Sequence, residues 1–255
     1  MTDPLRVLIT AGASGIGRAI ADRFLDQEAL VYICDIDASA LNAVVSDTKG
    51  LWGSVCDVGK ADDIARLFED AEKILGGFDV LVNNAGIGGG NAPIDDIDVD
   101  EWRRTMDVNV NGMFYCIQKV TPYLKAQNSG TIINISSVSV RTGMTNRLPY
   151  ITSKQGVIGL THNVARELGP WNIRCNAILP GLIDNERGRS ILARKAEEDG
   201  KSLDETEEEY LKYVSMRCWI DPREVGDLAV FLSCGKAEHI SGQFIAVDGH
   251  MEWEA

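Results

Sequence analysis

The chain has 255 residues, 45% hydrophobic and 25% charged, with 38 acidic against 25 basic side chains and a net charge of -13. This is a globular composition, long enough to bury a large core without disulfide or metal staples, and its acidic balance excludes a broad nucleic-acid footprint. The six cysteines form no C-x-x-C pair and none lies at zinc spacing from a histidine, so buried free thiols and no metal are expected.

In chain order, Met1 leads to an apolar run by Leu5 with no basic segment before it, which predicts no signal peptide. Strand-like runs lie at residues 5–10, 30–35, 51–57, 80–83, 131–136, 173–179 and 244–248. Several are almost continuously apolar, the pattern of parallel strands covered on both faces. Helical stripes lie between them. Ile16, Ile20 and Phe24 form one; Ile64, Leu67, Phe68, Ala71 and Ile74 form another. Strands alternating with helices predict βαβ units and a single α/β domain over 1–255: a Rossmann-like, doubly wound parallel sheet of about seven strands and six helices. No apolar run approaches a membrane span, so a cytoplasmic protein without membrane association is expected.

Residues 186–220 break the rhythm. They carry no clean strand, and 197–209 hold eight acidic residues and one lysine. Lying after a strand and Pro180-Gly181, this stretch is expected to form a helical lid over the ligand edge of the sheet.

The first strand runs into Thr10-Ala11-Gly12-Ala13-Ser14-Gly15-Ile16-Gly17, and a helix follows. Glycines permit a tight turn and close approach to a pyrophosphate, while the helix N-terminus offers free N–H groups and a favourable dipole. The second strand ends at Asp35, 18 residues beyond Gly17. A carboxylate there accepts from both adenosine ribose hydroxyls and repels a 2′-phosphate, so NAD is the expected cofactor rather than NADP. Asp57, in Cys56-Asp57-Val58, is placed to meet the adenine amino group. Asn83-Asn84-Ala85-Gly86 closes the fourth strand beside the cofactor ribose.

Tyr150 and Lys154 are four residues apart and share a helix face. A nearby ammonium favours the phenolate and tunes tyrosine for proton exchange with an alcohol oxygen. Ser136 and Ser137 compete for the strand-end hydroxyl that holds the substrate oxygen. Asn109 sits inside a predicted helix, where asparagine is disfavoured, and its side chain is placed to hold a water linking the lysine to solvent.

Taken together, Thr10–Gly17, Asp57, Asn83–Gly86, Asn109, Ser137, Tyr150, Lys154, Pro180-Gly181 and the closing Val247-Asp248-Gly249 resemble the short-chain dehydrogenase/reductase family, in its single-domain branch, over nearly the whole chain. The family spacing favours Ser137 over Ser136. The resemblance implies a catalytic set of Ser137, Tyr150, Lys154 and Asn109. It implies a cofactor site drawn from Gly12, Ser14, Gly15, Ile16, Gly17, Asp35, Asp57, Val58, Asn84, Ala85, Gly86, Tyr150, Lys154, Pro180, Gly181 and Ile183. It also implies a small-molecule alcohol or carbonyl substrate, a secondary alcohol or ketone above all, and a homotetramer or dimer. Three features depart from the family: Ala11 follows Thr10 where glycine is usual, Asn185 stands where a threonine holds the nicotinamide carboxamide, and His250 follows Gly249 where a second glycine is usual. His250 and Trp253 are in position to reach a neighbouring subunit. Arg141 and Arg147, with Arg187 and Arg189 at the start of the lid, suggest an anionic substrate alongside Ser137 and Tyr150. The rival readings are an NAD-binding sensor without turnover, and an epimerase or dehydratase that retains NAD. The first has no need of all four catalytic residues, and the second generally has a larger C-terminal domain.

Overall fold

The computed structural model describes residues 3–252, so Trp253 lies outside the described residues. Seven strands form one sheet: β1 (Arg6–Thr10), β2 (Leu30–Asp35), β3 (Leu51–Val55), β4 (Val80–Asn83), β5 (Gly130–Ile135), β6 (Ile173–Pro180) and β7 (Phe244–Val247). Every pairing is parallel, and the order is β3-β2-β1-β4-β5-β6-β7. The third strand stops at Val55, two residues before the expected end, so Asp57 stands in the loop beyond it.

Alternation along the strands explains the continuous apolar runs. Val7 and Ile9 enter a core with Ile20 and Phe24 of α1 (Gly15–Leu25), Leu41 of α2 (Ala38–Asp47), and Val225, Ala229 and Leu232 of a C-terminal helix, Pro222–Ser233. Leu8, between them, faces the opposite core with α3 (Ala61–Leu75) and the helix Gly112–Gln127. Both faces are covered, so both register positions of this strand are apolar. The stripe of α3 ends on Leu75, buried, and not on Ile74, which is 49% exposed. A step of four from Ala71 keeps the face; a step of three there turns the side chain outward.

Nine α-helices occur among the described residues, more than the six expected. One excess comes from a single helical rod divided by a π-turn at Asp107–Asn111 into α4 (Val99–Met106) and α5 (Gly112–Gln127). After α6 (Leu148–Leu168), the excursion 186–220 contributes α7 (Glu186–Asp199) and α8 (Leu203–Lys212); α9 is Pro222–Ser233. Helix α8 starts with a capping box between Ser202 and Glu205. Among the described residues no helix is long and apolar enough to cross a membrane.

Candidate active site

The strand order reverses between β1 and β4, and open α/β sheets place their ligands at the carboxyl edge of such a switch point. The turn between β1 and α1 is braced from β4. The Thr10 hydroxyl accepts from the Asn84 and Ala85 amides, both at 3.0 Å, and Asn84 Nδ2 donates to the Thr10 and Ala11 carbonyls. Gly12 is required by packing, since a Cβ there would stand 2.5 Å from Ile33 Cγ2. At Gly17 a Cβ would run into the Ala11 carbonyl oxygen. Ala11 itself has φ +52°, the left-handed region that favours glycine.

Helix α1 begins without the device most other helices here use. Side chains of Asp37, Asp98, Asn185, Ser202 and Asp221 cap α2, α4, α7, α8 and α9, but Ser14 makes no capping hydrogen bond and the first turn of α1 holds no acidic residue. Its leading N–H groups, from Gly15, Ile16 and Gly17, are left for an anion. Asp35 sits at the rim of the same loop, with Oδ2 accepting from the Ala13 amide and Oδ1 from the Asp37 amide, both at 3.1 Å. A cradle of uncapped amides beside a carboxylate fits a dinucleotide.

Other expected cofactor residues divide. Asp57 accepts from the Gly59 amide at 3.0 Å and Arg104 at 2.9 Å. Burial opposes its charge, but Arg104 and the amide hold its pKa below the usual value. Val58 is buried beneath that loop. Asn83 turns into the sheet and donates to Asn134. Asn84 clamps the loop, buried Ala85 follows, and Gly86 passes so close that a Cβ would lie 3.1 Å from Lys154 Nζ. Beyond β6, a Cβ on Gly181 would meet Asp248 Cα at 2.7 Å, while Ile183 makes a parallel bridge to Ile220.

Tyr150 and Lys154 occupy the first turns of α6. Lys154 is 4% exposed and its Nζ donates to the Ile135 carbonyl at 2.9 Å. Burial, then the positive charge of Arg187, pushes its pKa down to about 7. Nζ lies 5.9 Å from the Tyr150 ring centroid. The two serines separate cleanly. Ser136 is buried and its hydroxyl donates to the Lys154 carbonyl at 3.0 Å, whereas Ser137 Oγ accepts from the Ser139 amide and hydroxyl at 3.2 and 2.8 Å, leaving its own proton to give.

Asn109 lies in the π-turn, wholly buried, and its side chain is hydrogen-bonded at both ends. Oδ1 accepts from the Ile87 amide, and Nδ2 donates to the Ile87 carbonyl and Ser153 Oγ. Ser153 in turn donates to the Tyr150 carbonyl at 2.7 Å. Asn109 therefore ties the loop after β4 to the helix of Tyr150. On sequence alone Ser139 opens a substrate-pocket stretch, 139–148, and Ser153 is assigned no role; its position one residue before Lys154 is the only signal for it.

The arginines divide too. Arg141, expected at the substrate, is ion-paired with Asp248 at 2.9 Å. Arg189 pairs with Asp184 and Glu207 and stacks on Trp219. Arg147 lies over the Tyr150 ring, 5.0 Å from its centroid. Asn185 caps α7 through Gly188, with Nδ2 3.5 Å from where a Gly15 Cβ would stand. His250 bonds within its own chain, to Ser215 Oγ at 2.7 Å and Glu252 at 3.3 Å. No cluster of metal-ligating side chains occurs among the described residues.

Residues 10–251 match the family model described as enoyl-(acyl carrier protein) reductase. The chain is 35% identical over 246 residues to a 3-oxoacyl-acyl-carrier-protein reductase of Thermotoga maritima, covering 95% of each. Among solved structures it resembles an actinorhodin polyketide ketoreductase with NADPH (TM-score 0.92, 27% identity, 97% of each chain). It also resembles an NAD+-bound xylitol dehydrogenase (TM-score 0.89, 27% identity, 95% of this chain and 97% of that one).

Proposed function

The chain belongs to the short-chain dehydrogenase/reductase family, and from that premise we propose that it is an NAD-dependent oxidoreductase acting on a secondary alcohol or ketone. The observation that supports this most is that Tyr150 and the buried Lys154 share one face of α6, with Nζ 5.9 Å from the tyrosine ring centroid and Gly86 of the loop after β4 packed against Nζ. NAD, when bound, supplies the acceptor for a hydride from the alcohol carbon or, reduced, its donor.

The chain's own residues do the rest. The amides of Gly15, Ile16 and Gly17 hold the pyrophosphate, and Asp35 takes the adenosine ribose hydroxyls, its charge disfavouring a 2′-phosphate. This preference is our reading, since the similar structures include both an NADPH and an NAD+ complex. Lys154 binds the nicotinamide ribose, and its Nζ stands 5.9 Å from the Tyr150 ring centroid. Tyr150 takes the hydroxyl proton as the alcohol carbon loses hydride, and returns it in reduction. Ser137 donates to the same substrate oxygen. Asn109, which ties the loop after β4 to α6, anchors the water that links Lys154 to solvent. Residues 186–220 form the lid of a single catalytic domain.

The test is nicotinamide absorbance during turnover of an alcohol panel with NAD and with NADP. Turnover should favour NAD, and Tyr150→Phe should lower kcat by ~10²–10⁴-fold. Full activity in that variant would defeat the mechanism, and preference for NADP would defeat the cofactor assignment.

A further inference from the structure

Two guanidinium groups meet beside Tyr150 with no carboxylate between them. Ten arginines of this acidic chain are ion-paired with an aspartate or glutamate. Of the others, Arg174 and Arg217 donate to backbone carbonyls and Arg166 lies out on the surface. Arg147 and Arg187 remain, and neither has an acidic partner among the described residues. Both reach one point: a Cβ on Gly88 would stand 3.4 Å from Arg147 Nη2 and 3.6 Å from Arg187 Nη2. Arg187 is anchored there by a 2.9 Å bond from Nη1 to the Gly86 carbonyl, and Arg147 by its seat on the Tyr150 ring.

This arrangement is electrostatically unfavourable as it stands. Arg147 is half-buried, and burial lowers its pKa, with the like charges of Arg194 and Arg187 adding to the effect. A half-buried charge without a counter-ion carries a desolvation cost that an oxyanion would offset. The planar fork of guanidinium also matches carboxylate, sulfonate and phosphate oxygens in pairs. In a chain with net charge -13, such a cation pair is not for want of available carboxylates. Arg141 and Arg189, whose carboxylates are already in place, take no part.

We propose that the substrate is anionic: a hydroxy or oxo compound carrying a carboxylate, sulfonate or phosphate, gripped by Arg147 and Arg187 on the Gly88 side of Tyr150. The proposal rests on the hydride-transfer reading above for which end of the molecule reacts. The anion end is a matter of binding and is tested separately.

The first arm measures binding to the NAD-loaded protein by calorimetry, using unreactive butyrate, propane-1-sulfonate and propyl phosphate, with 1-butanol as neutral control. The second compares kcat/KM within matched pairs: lactate with 1,2-propanediol, and 2,3-dihydroxypropane-1-sulfonate or glycerol 3-phosphate with glycerol. At least one anion class should be favoured by ~10–100-fold over its neutral partner, the worth of a charged hydrogen-bonded pair. Which class wins names the anion. Arg147→Gln and Arg187→Gln should each erase most of that preference. The proposal falls if wild-type protein shows no preference for any anion, or if both variants keep it. It also falls if Arg187→Gln raises KM for NAD alone, which would give that arginine to the cofactor. Turnover of neutral alcohols without anion preference would sink this inference and leave hydride transfer standing; anion binding lost in the variants, with no alcohol turned over, would do the reverse.

Discussion

Replacing Lys154 by methionine should stabilise the free protein while abolishing turnover, and the stabilisation should fade as pH rises. The ammonium is buried, has one hydrogen bond, to the Ile135 carbonyl, and feels a like charge from Arg187. Its pKa therefore falls from 10.5 to about 7. Between those values the unfolded chain holds a proton that the fold has released, so stability rises with pH across that window. At about 1.4 kcal/mol per pH unit, the desolvated charge costs roughly 5 kcal/mol at pH 7 and below, but only about 1 kcal/mol at pH 9.5, where Nζ is neutral in the fold. Methionine has nearly the same reach and no charge, but leaves the Ile135 carbonyl without its donor, a loss of about 1–3 kcal/mol. The variant should thus exceed wild type by roughly 2–4 kcal/mol at pH 6.5 and hold no advantage at pH 9.5. Urea denaturation of both proteins at the two pH values, without NAD, measures this, and subtraction cancels every other titrating group. A difference that is constant with pH, or that grows with it, would refute the reasoning.

The glycine-rich turn yields two further outcomes. Ala11→Gly removes a left-handed alanine and should raise Tm by about 1–3 °C in a thermal melt, the net of roughly 1 kcal/mol of relieved strain and glycine's greater unfolded freedom; an unchanged or lower Tm would deny the strain. Gly17→Ala drives a Cβ into the Ala11 carbonyl and should cost about 1–3 kcal/mol of stability and weaken NAD binding measured by titration; near wild-type affinity would show that the loop can yield.

Much of this was legible because the physics is local. Strands such as Val80–Asn83 read as apolar runs since both faces are covered, and Tyr150 and Lys154 fall on one face by spacing alone. What escaped depends on partners distant in sequence. Nothing near Arg141 says that Asp248, 107 residues away, will take its charge, so only the fold separates Arg141 from Arg147. Ser136 and Ser137 look equivalent until the Lys154 carbonyl claims the first. The side chain of Asn109 was placed near water because asparagine is a poor helix former; only the fold shows that it also joins Ile87 to Ser153. Helices α7 and α8 bury few residues, among them Leu192, Ala196 and Thr206, so the acidic stretch carried no helical stripe strong enough to count them.

Three unfavourable features of this structure share one edge of the sheet. The desolvated ammonium of Lys154, the unpaired guanidinium of Arg147 and the uncapped start of α1 all lie along the carboxyl edge of the sheet. Each is a concentration of positive charge or unsatisfied N–H groups, and each would be relieved by the same thing, a negatively charged or oxygen-rich ligand. The rest of the molecule is acidic and would repel such a ligand at long range, so its approach must be governed by this local field rather than by net charge. Ligand binding would then both satisfy the edge and stabilise the fold by mass action. The strain is what would be expected of groups selected to hold a dinucleotide and an anion, because a site already neutralised by its own carboxylates, as Arg141 and Arg189 are, would have to break an ion pair before it could bind either.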